Sequence, residues 1–133
     1  MFDVNWIAVI VAALSGFLIG GLWYGPIFGK SWQVESGVSD EMAQAGNMPM
    51  IFGLTFLLNL FSAFVLAHVL MTYATPALGT TIMIAGGIAL GFIIPAIGIN
   101  YLFSRKSLKL FMIDAIYWLV AYSIMGLIFT LFS

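Results

Sequence analysis

The chain has 133 residues, of which 63% are hydrophobic and only 7% charged. Soluble domains carry about 25% charged residues, so this composition excludes a water-facing surface and makes lipid the expected solvent. The net charge of −1 excludes a nucleic-acid binder working through basic patches. The absence of cysteine excludes disulfides, thiolate metal sites and iron–sulfur clusters, and the single histidine, His68, excludes bis-histidine haem.

The leader Met1-Phe2-Asp3-Val4-Asn5 has an acid and no base, so the apolar run that follows does not read as a cleaved signal peptide. That first run, residues 5–28, is long enough for a transmembrane helix. It carries Gly16-x-x-x-Gly20, and Gly25-Pro26 falls near its end, where the proline ends or kinks the helix. An amphipathic loop follows over residues 29–49, with Lys30, Trp32, Glu35, Asp40 and Glu41. Gly37 is expected to stop a short helix there, and Ser39 to cap the next one. Trp32 is expected at the headgroup level.

The second run covers residues 50–72. Thr55, Asn59 and Ser62 share one of its faces, and His68 lies on the opposite face near the boundary, as an interfacial residue. A short uncharged connection with Pro76 and Gly79 leads to the third run, residues 80–103, which holds Gly87-x-x-x-Gly91, Gly98 and Asn100. Pro95 removes the hydrogen bond that the Gly91 carbonyl would accept and predicts a kink. After a tight corner, Ser104-Arg105-Lys106-Ser107, the last run covers residues 108–132 and contains Asp114. The fold class is therefore an all-α integral membrane protein. A single domain over residues 1–133 forms a four-transmembrane-helix bundle built from two consecutive helical hairpins.

Lys30, Arg105, Lys106 and Lys109 all belong to one side of such a bundle, and the other side has no Lys or Arg. This asymmetry predicts both termini outside and both basic connections in the cytoplasm. Lys30-Ser31-Trp32 and Lys106-Ser107-Leu108 occupy similar places after the first and third helices, a hint of parallel duplication.

Gly16 and Gly20 lie on one small-residue stripe, with Ala12 and Trp23. Gly87 and Gly91 lie on another, with Gly98. Small stripes let helices approach closely in lipid. Two readings stay open: packing within the chain with the first and third helices central, or a homodimer seam along one stripe.

Asp114 is the most informative residue. It lies roughly 9 Å inside the last helix, where a carboxylate is costly unless it faces the bundle. The candidate cluster around it is Thr55 and Asn59 from the second helix, Asn100 from the third, Trp23 and Tyr24 from the first, and Tyr117 from its own helix. The cluster reads as interhelical polar glue. Its alternatives are a cytoplasm-facing vestibule for a proton, ion or small molecule, and a subunit contact.

The passage Gly21-Leu22-Trp23-Tyr24-Gly25-Pro26-Ile27-Phe28-Gly29-Lys30-Ser31-Trp32 resembles the opening signature of DUF1761, an uncharacterised bacterial membrane family. The stretch Arg105-Lys106-Ser107-Leu108-Lys109-Leu110-Phe111, then Tyr117-Trp118-Leu119 and Ile124-Met125-Gly126, is similar to that family's final helix. The resemblance implies a small multi-pass protein of a bacterial inner or plasma membrane, with no established activity or ligand. It also implies that an asparagine can stand at position 114, which weighs against an obligatory acid there.

The expected function is that of a structural, accessory or oligomeric membrane protein. Its partners would be the bilayer and a second copy of itself, not nucleic acid. The alternative is a small transporter or channel subunit, although compact exporters of the multidrug type carry an acid in the first helix and this chain has none there. No enzyme, no catalytic residue, no metal and no cofactor is expected, since the bundle has no thiol, histidine pair, acidic pair or nucleotide loop.

Overall fold

In the computed structural model the four apolar runs fold as helices long and apolar enough to cross a membrane, and no strand occurs among the described residues. The structure describes residues 4–73 and 77–132. The leader residues Met1 to Asp3, Pro76 of the second connection, and Ser133 lie outside them.

The first span is α1 (Trp6–Leu22), capped by the Asn5 side chain and continued by a π-turn, Trp23–Ile27. Pro26 lies inside that turn. Proline has no N–H to give, and the wider i→i−5 turn closes instead with the Phe28 N–H on the Trp23 carbonyl, 2.8 Å. Two short helices form the loop, α2 (Gly29–Ser36) and α3 (Asp40–Ala45). Gly37 ends α2 in the left-handed region, φ 79°, which suits a residue without Cβ. Ser39 caps α3 by accepting from the Met42 N–H.

The second span is α4 (Met48–Thr72). The third is α5 (Leu78–Ile88), a π-turn over Ala89–Ile93, and α6 (Ile94–Phe103), with Pro95 in the first turn of α6. The fourth is α7 (Leu108–Leu131), capped by Ser107. His68 has one ring nitrogen 2.9 Å from the Phe64 carbonyl and packs on the Phe64 ring.

The spans stand in the order α4, α1, α7, α5/α6, with α1 packed on α4 and α7, and α7 packed on α1 and α5. The central helices are thus the first and the fourth. This corrects the expectation that the first and third would be central, which rested on their glycines. The last helix is buried because it presents Leu110, Ile113, Ala115, Ala121 and Met125 to neighbours on two sides.

The glycine stripes divide. A Cβ on Gly16 would lie 3.5 Å from Met125 Cε and 3.6 Å from Asn59 Nδ2, and one on Gly20 would lie 3.2 Å from the Tyr117 hydroxyl. Both therefore face helices of this chain. Gly87 and Gly91 do not: nothing lies within 4 Å of a Cβ at either, and both are exposed. Their intrachain packing role is withdrawn. Gly86 and Gly98 make the contacts instead, against Ser123 and Phe111. The π-turn explains why Gly98 leaves the stripe of Gly87 and Gly91, since one extra residue rotates everything beyond it by about 100°.

The four helices converge at the end holding the termini. There Val9, Ala12, Ala13, Ala63, Leu66, Ala67, Ala85, Ala89 and Met125 form a dry core. Toward the other end, which carries Lys30, Arg105, Lys106 and Lys109, no residue of 17–28, 48–58 or 90–103 is buried. The spans splay there, and the candidate site sits in this half.

Candidate functional site

Asp114 is 6% exposed, buried like Asn59 and Thr81 among the described residues. It lies two turns into α7, and its carboxylate is held by two phenols. The Tyr24 hydroxyl donates to Oδ1 at 2.5 Å, and the Tyr101 hydroxyl donates to Oδ2. Tyr24 comes from the π-turn of the first span and Tyr101 from α6. One side chain therefore joins three of the four spans where they have begun to separate.

Each phenol reaches the acid through a distortion caused by a proline. Tyr24 sits within the turn that Pro26 widens. The second π-turn sets the phase of α6 so that Gly98 and Tyr101, three residues apart, face Phe111 and Asp114, also three apart. Gly98 allows the approach, since a Cβ there would stand 3.1 Å from the Phe111 ring.

Aromatic rings surround the clamp. Tyr24 lies edge-on to Tyr117 at 5.2 Å and to Trp32 at 6.0 Å, and Tyr117 contacts Trp118 at 4.9 Å. Tyr117 turns its hydroxyl away from Asp114 and donates to the Gly16 carbonyl at 2.9 Å, tying α7 to α1. The Trp23 indole N–H donates to the Ile113 carbonyl at 3.0 Å. These two residues belong to the site as supports of the α1–α7 contact.

The other candidates stand apart from the carboxylate. Asn59 is 4% exposed and lies beside Gly16, and its Nδ2 has no hydrogen-bond partner. Thr55 and Asn100 are exposed. The Asn100 carbonyl accepts from the Ser104 hydroxyl at 2.9 Å as a helix-end bond. Thr55 is on the outer face of α4, while Phe52 and Phe56 on either side of it pack on Phe17 of α1. The grouping of Thr55, Asn59 and Asn100 around Asp114 is therefore corrected: matching depth does not bring them together, because each helix presents a different face. Tyr101 is the functional residue that sequence reasoning missed. It lies two residues before the end of α6, and a phenol is long enough to reach inward across the corner.

The loop closes over this end. The Ser107 hydroxyl donates to Glu35 Oε1 at 2.7 Å, Lys106 Nζ donates to the Ser36 carbonyl at 3.2 Å, and Gln33 Nε2 donates to Asp40 Oδ1 at 3.1 Å. Among the described residues no group of three or more His, Cys, Asp or Glu side chains is placed to hold a metal ion. The arrangement can hold three helices together through one anion or, with its hydrogen bonds broken, offer that anion to a cation.

No curated protein and no solved structure gives a significant match to this chain. The family model for DUF1761, described as a protein of unknown function, matches residues 7–130. The Gly21–Trp32 passage and the stretches of the final helix that resemble that family lie inside the matched region, and the chain belongs to the DUF1761 family.

Proposed function

We propose that the protein is a structural or accessory integral membrane protein that acts through contacts in the bilayer, with a second copy of itself as its first partner, and not as an enzyme. The carrying observation is the state of Asp114. Both oxygens of its carboxyl group accept from tyrosines of other helices, so the side chain is engaged as an interhelical lock. The dry core of alanines and leucines beyond it supports the same reading, because a conducting route needs polar groups through both halves. Gly87 and Gly91 supply the contact surface. They lie on the face of the third span away from α7, flanked by exposed Met83 and Leu90, and small residues let a second helix approach closely. The membrane is a bacterial inner or plasma membrane, with both termini outside.

The alternative, a transporter or channel subunit with a vestibule around Asp114, is favoured by one observation: the unpaired buried amide of Asn59. One preparation tests both readings. The cysteine-free chain carrying Met83→Cys is reconstituted in liposomes, oxidised and run for dimer, with and without Gly87→Leu and Gly91→Leu. The scaffold reading expects a disulfide dimer that both leucine variants weaken, and no flux of protons or small lipophilic cations. A parent that stays monomeric, or a flux that Asp114→Asn abolishes, would reject it.

A further inference from the structure

We propose that the cleft between α6 and α7 at the basic end binds one anionic phospholipid. Its phosphate would lie against Lys106 and Ser107 at the rim, with Arg105 next in the chain, and an acyl chain would run over Gly98 and Phe111. The cleft has a volume of about 290 Å³. Gly98, Leu102, Leu108 and Phe111 give it an apolar floor, and Lys106 and Ser107 stand on its rim. Tyr101, which holds one oxygen of Asp114, is part of its wall.

The charge at this corner is concentrated. Three of the four Lys and Arg residues of the whole chain fall within positions 105–109, and all three are exposed. Lys106 gives a hydrogen bond to the Ser36 carbonyl, and its ammonium carries two further donors. The acid at this corner is Glu35, and it is engaged by the Ser107 hydroxyl, so Lys106 is not paired with it. Arg105 adopts φ 61° to turn the corner, a conformation glycine takes more readily, yet the chain places a cation there.

An apolar floor under a cationic rim is complementary to an amphiphile with an anionic head. A small soluble anion would use the rim and leave the floor wet. The position fits as well. The corner ends two candidate spans, and Leu102, Phe103 and Leu108 beside it are exposed, so rim and floor fall at the headgroup and acyl levels of one leaflet.

The proposal rests on the chain lying in a bilayer, and a chain that failed to enter nanodiscs would reject that reading separately. The test uses the full chain in nanodiscs of dioleoyl phosphatidylcholine with a minor fraction of dioleoyl phosphatidylglycerol, released into detergent, with retained lipid counted by native mass spectrometry. The parent is expected to keep one phosphatidylglycerol in preference to phosphatidylcholine. Arg105→Gln with Lys106→Gln should reduce that preference roughly tenfold or more, from a few-fold loss per cation removed. Arg105→Gly, which suits the left-handed turn, is a second variant expected to fold at least as well and to retain less. Lys30→Gln removes the same charge from the same end without touching the cleft and should leave the preference intact. Equal retention of both lipids by the parent, or undiminished retention by the cleft variants, would overturn the site. So would an equal loss in Lys30→Gln, which would mean diffuse charge attraction. Displacement by glycerol phosphate as effectively as by phosphatidylglycerol would assign the corner to free anions and overturn the lipid.

Discussion

Replacing Asp114 tests the lock most directly. Asp114→Leu removes the acceptor of two phenols from different helices, Tyr24 and Tyr101, and leaves both hydroxyls facing a hydrocarbon side chain. Hydrogen bonds to charged groups contribute about 1.5–3 kcal/mol in water-soluble proteins. Interhelical bonds in membranes average only about 0.6 kcal/mol and reach about 1.7 kcal/mol, because an unfolded span in lipid also finds partners. Two such bonds set an expected loss of about 1–3 kcal/mol for Asp114→Leu. Asp114→Asn keeps one carbonyl oxygen for one phenol and offers its amide to the other, so about 0.5–1.5 kcal/mol is expected. The assay is reversible unfolding in mixed micelles, followed by tryptophan fluorescence, as a double-mutant cycle with Tyr24→Phe and Tyr101→Phe. Each phenylalanine substitution should destabilise the parent by about 0.6–1.7 kcal/mol and cost nearly nothing in the Asp114→Leu background. Coupling energies within about 0.3–0.5 kcal/mol of zero for both tyrosines would refute the lock, because independent sites add.

Three further outcomes are expected. Gly126→Ala should destabilise by about 1–3 kcal/mol, since the new Cβ would stand 3.0 Å from Ala85 Cβ and 3.2 Å from the Thr81 carbonyl oxygen; a melting temperature equal to the parent's would place α5 and α7 farther apart than described. Asn59→Leu should be neutral or stabilising by up to about 1 kcal/mol, because it removes a buried amide nitrogen without a partner while keeping the same branched skeleton, and a clear loss in the same unfolding assay would mean that the amide is engaged in the bilayer. For topology, an impermeant thiol reagent applied to intact cells should label Tyr73→Cys and spare Ser104→Cys; the opposite pattern would invert the orientation drawn from Lys and Arg.

Much of the fold was legible because hydropathy along the chain is nearly a one-dimensional code for helices in lipid. The loop punctuation was legible for the same kind of reason: Gly37 and Ser39 act through their own backbone and side chain. Asp114 was legible because an acid at that depth has few places to go. What the sequence concealed was rotation. Face assignments assumed a constant 100° per residue, and two π-turns break that constancy. Beyond the second one, Gly98 parts from Gly87 and Gly91, and Tyr101 turns to Asp114. Pro26 and Pro95 marked the places, but a proline announces a missing donor and does not say whether the helix kinks, ends or widens. Thr55 was misplaced for a different reason. Its place along the helix does not decide which face it occupies, and here Phe52 and Phe56 take the face toward α1.

The convergence of the spans at one end has a mechanical consequence. Ala12, Ala63 and Ala85 belong to one buried cluster, and dense packing of this kind leaves little room for sliding, so that end acts as the pivot. The far end of α4 is the arm, held by Phe17 against Phe52 and Phe56, whereas α6 is tied to α7 by the Ser104–Ser107 corner, by Gly98 against Phe111 and by the Tyr101 bond to Asp114. Local opening is easiest where buried contacts are fewest. Amide exchange should therefore be slowest around the pivot and fastest along residues 48–58, and motion of that arm would change the width of the protein in one leaflet while leaving the other unchanged.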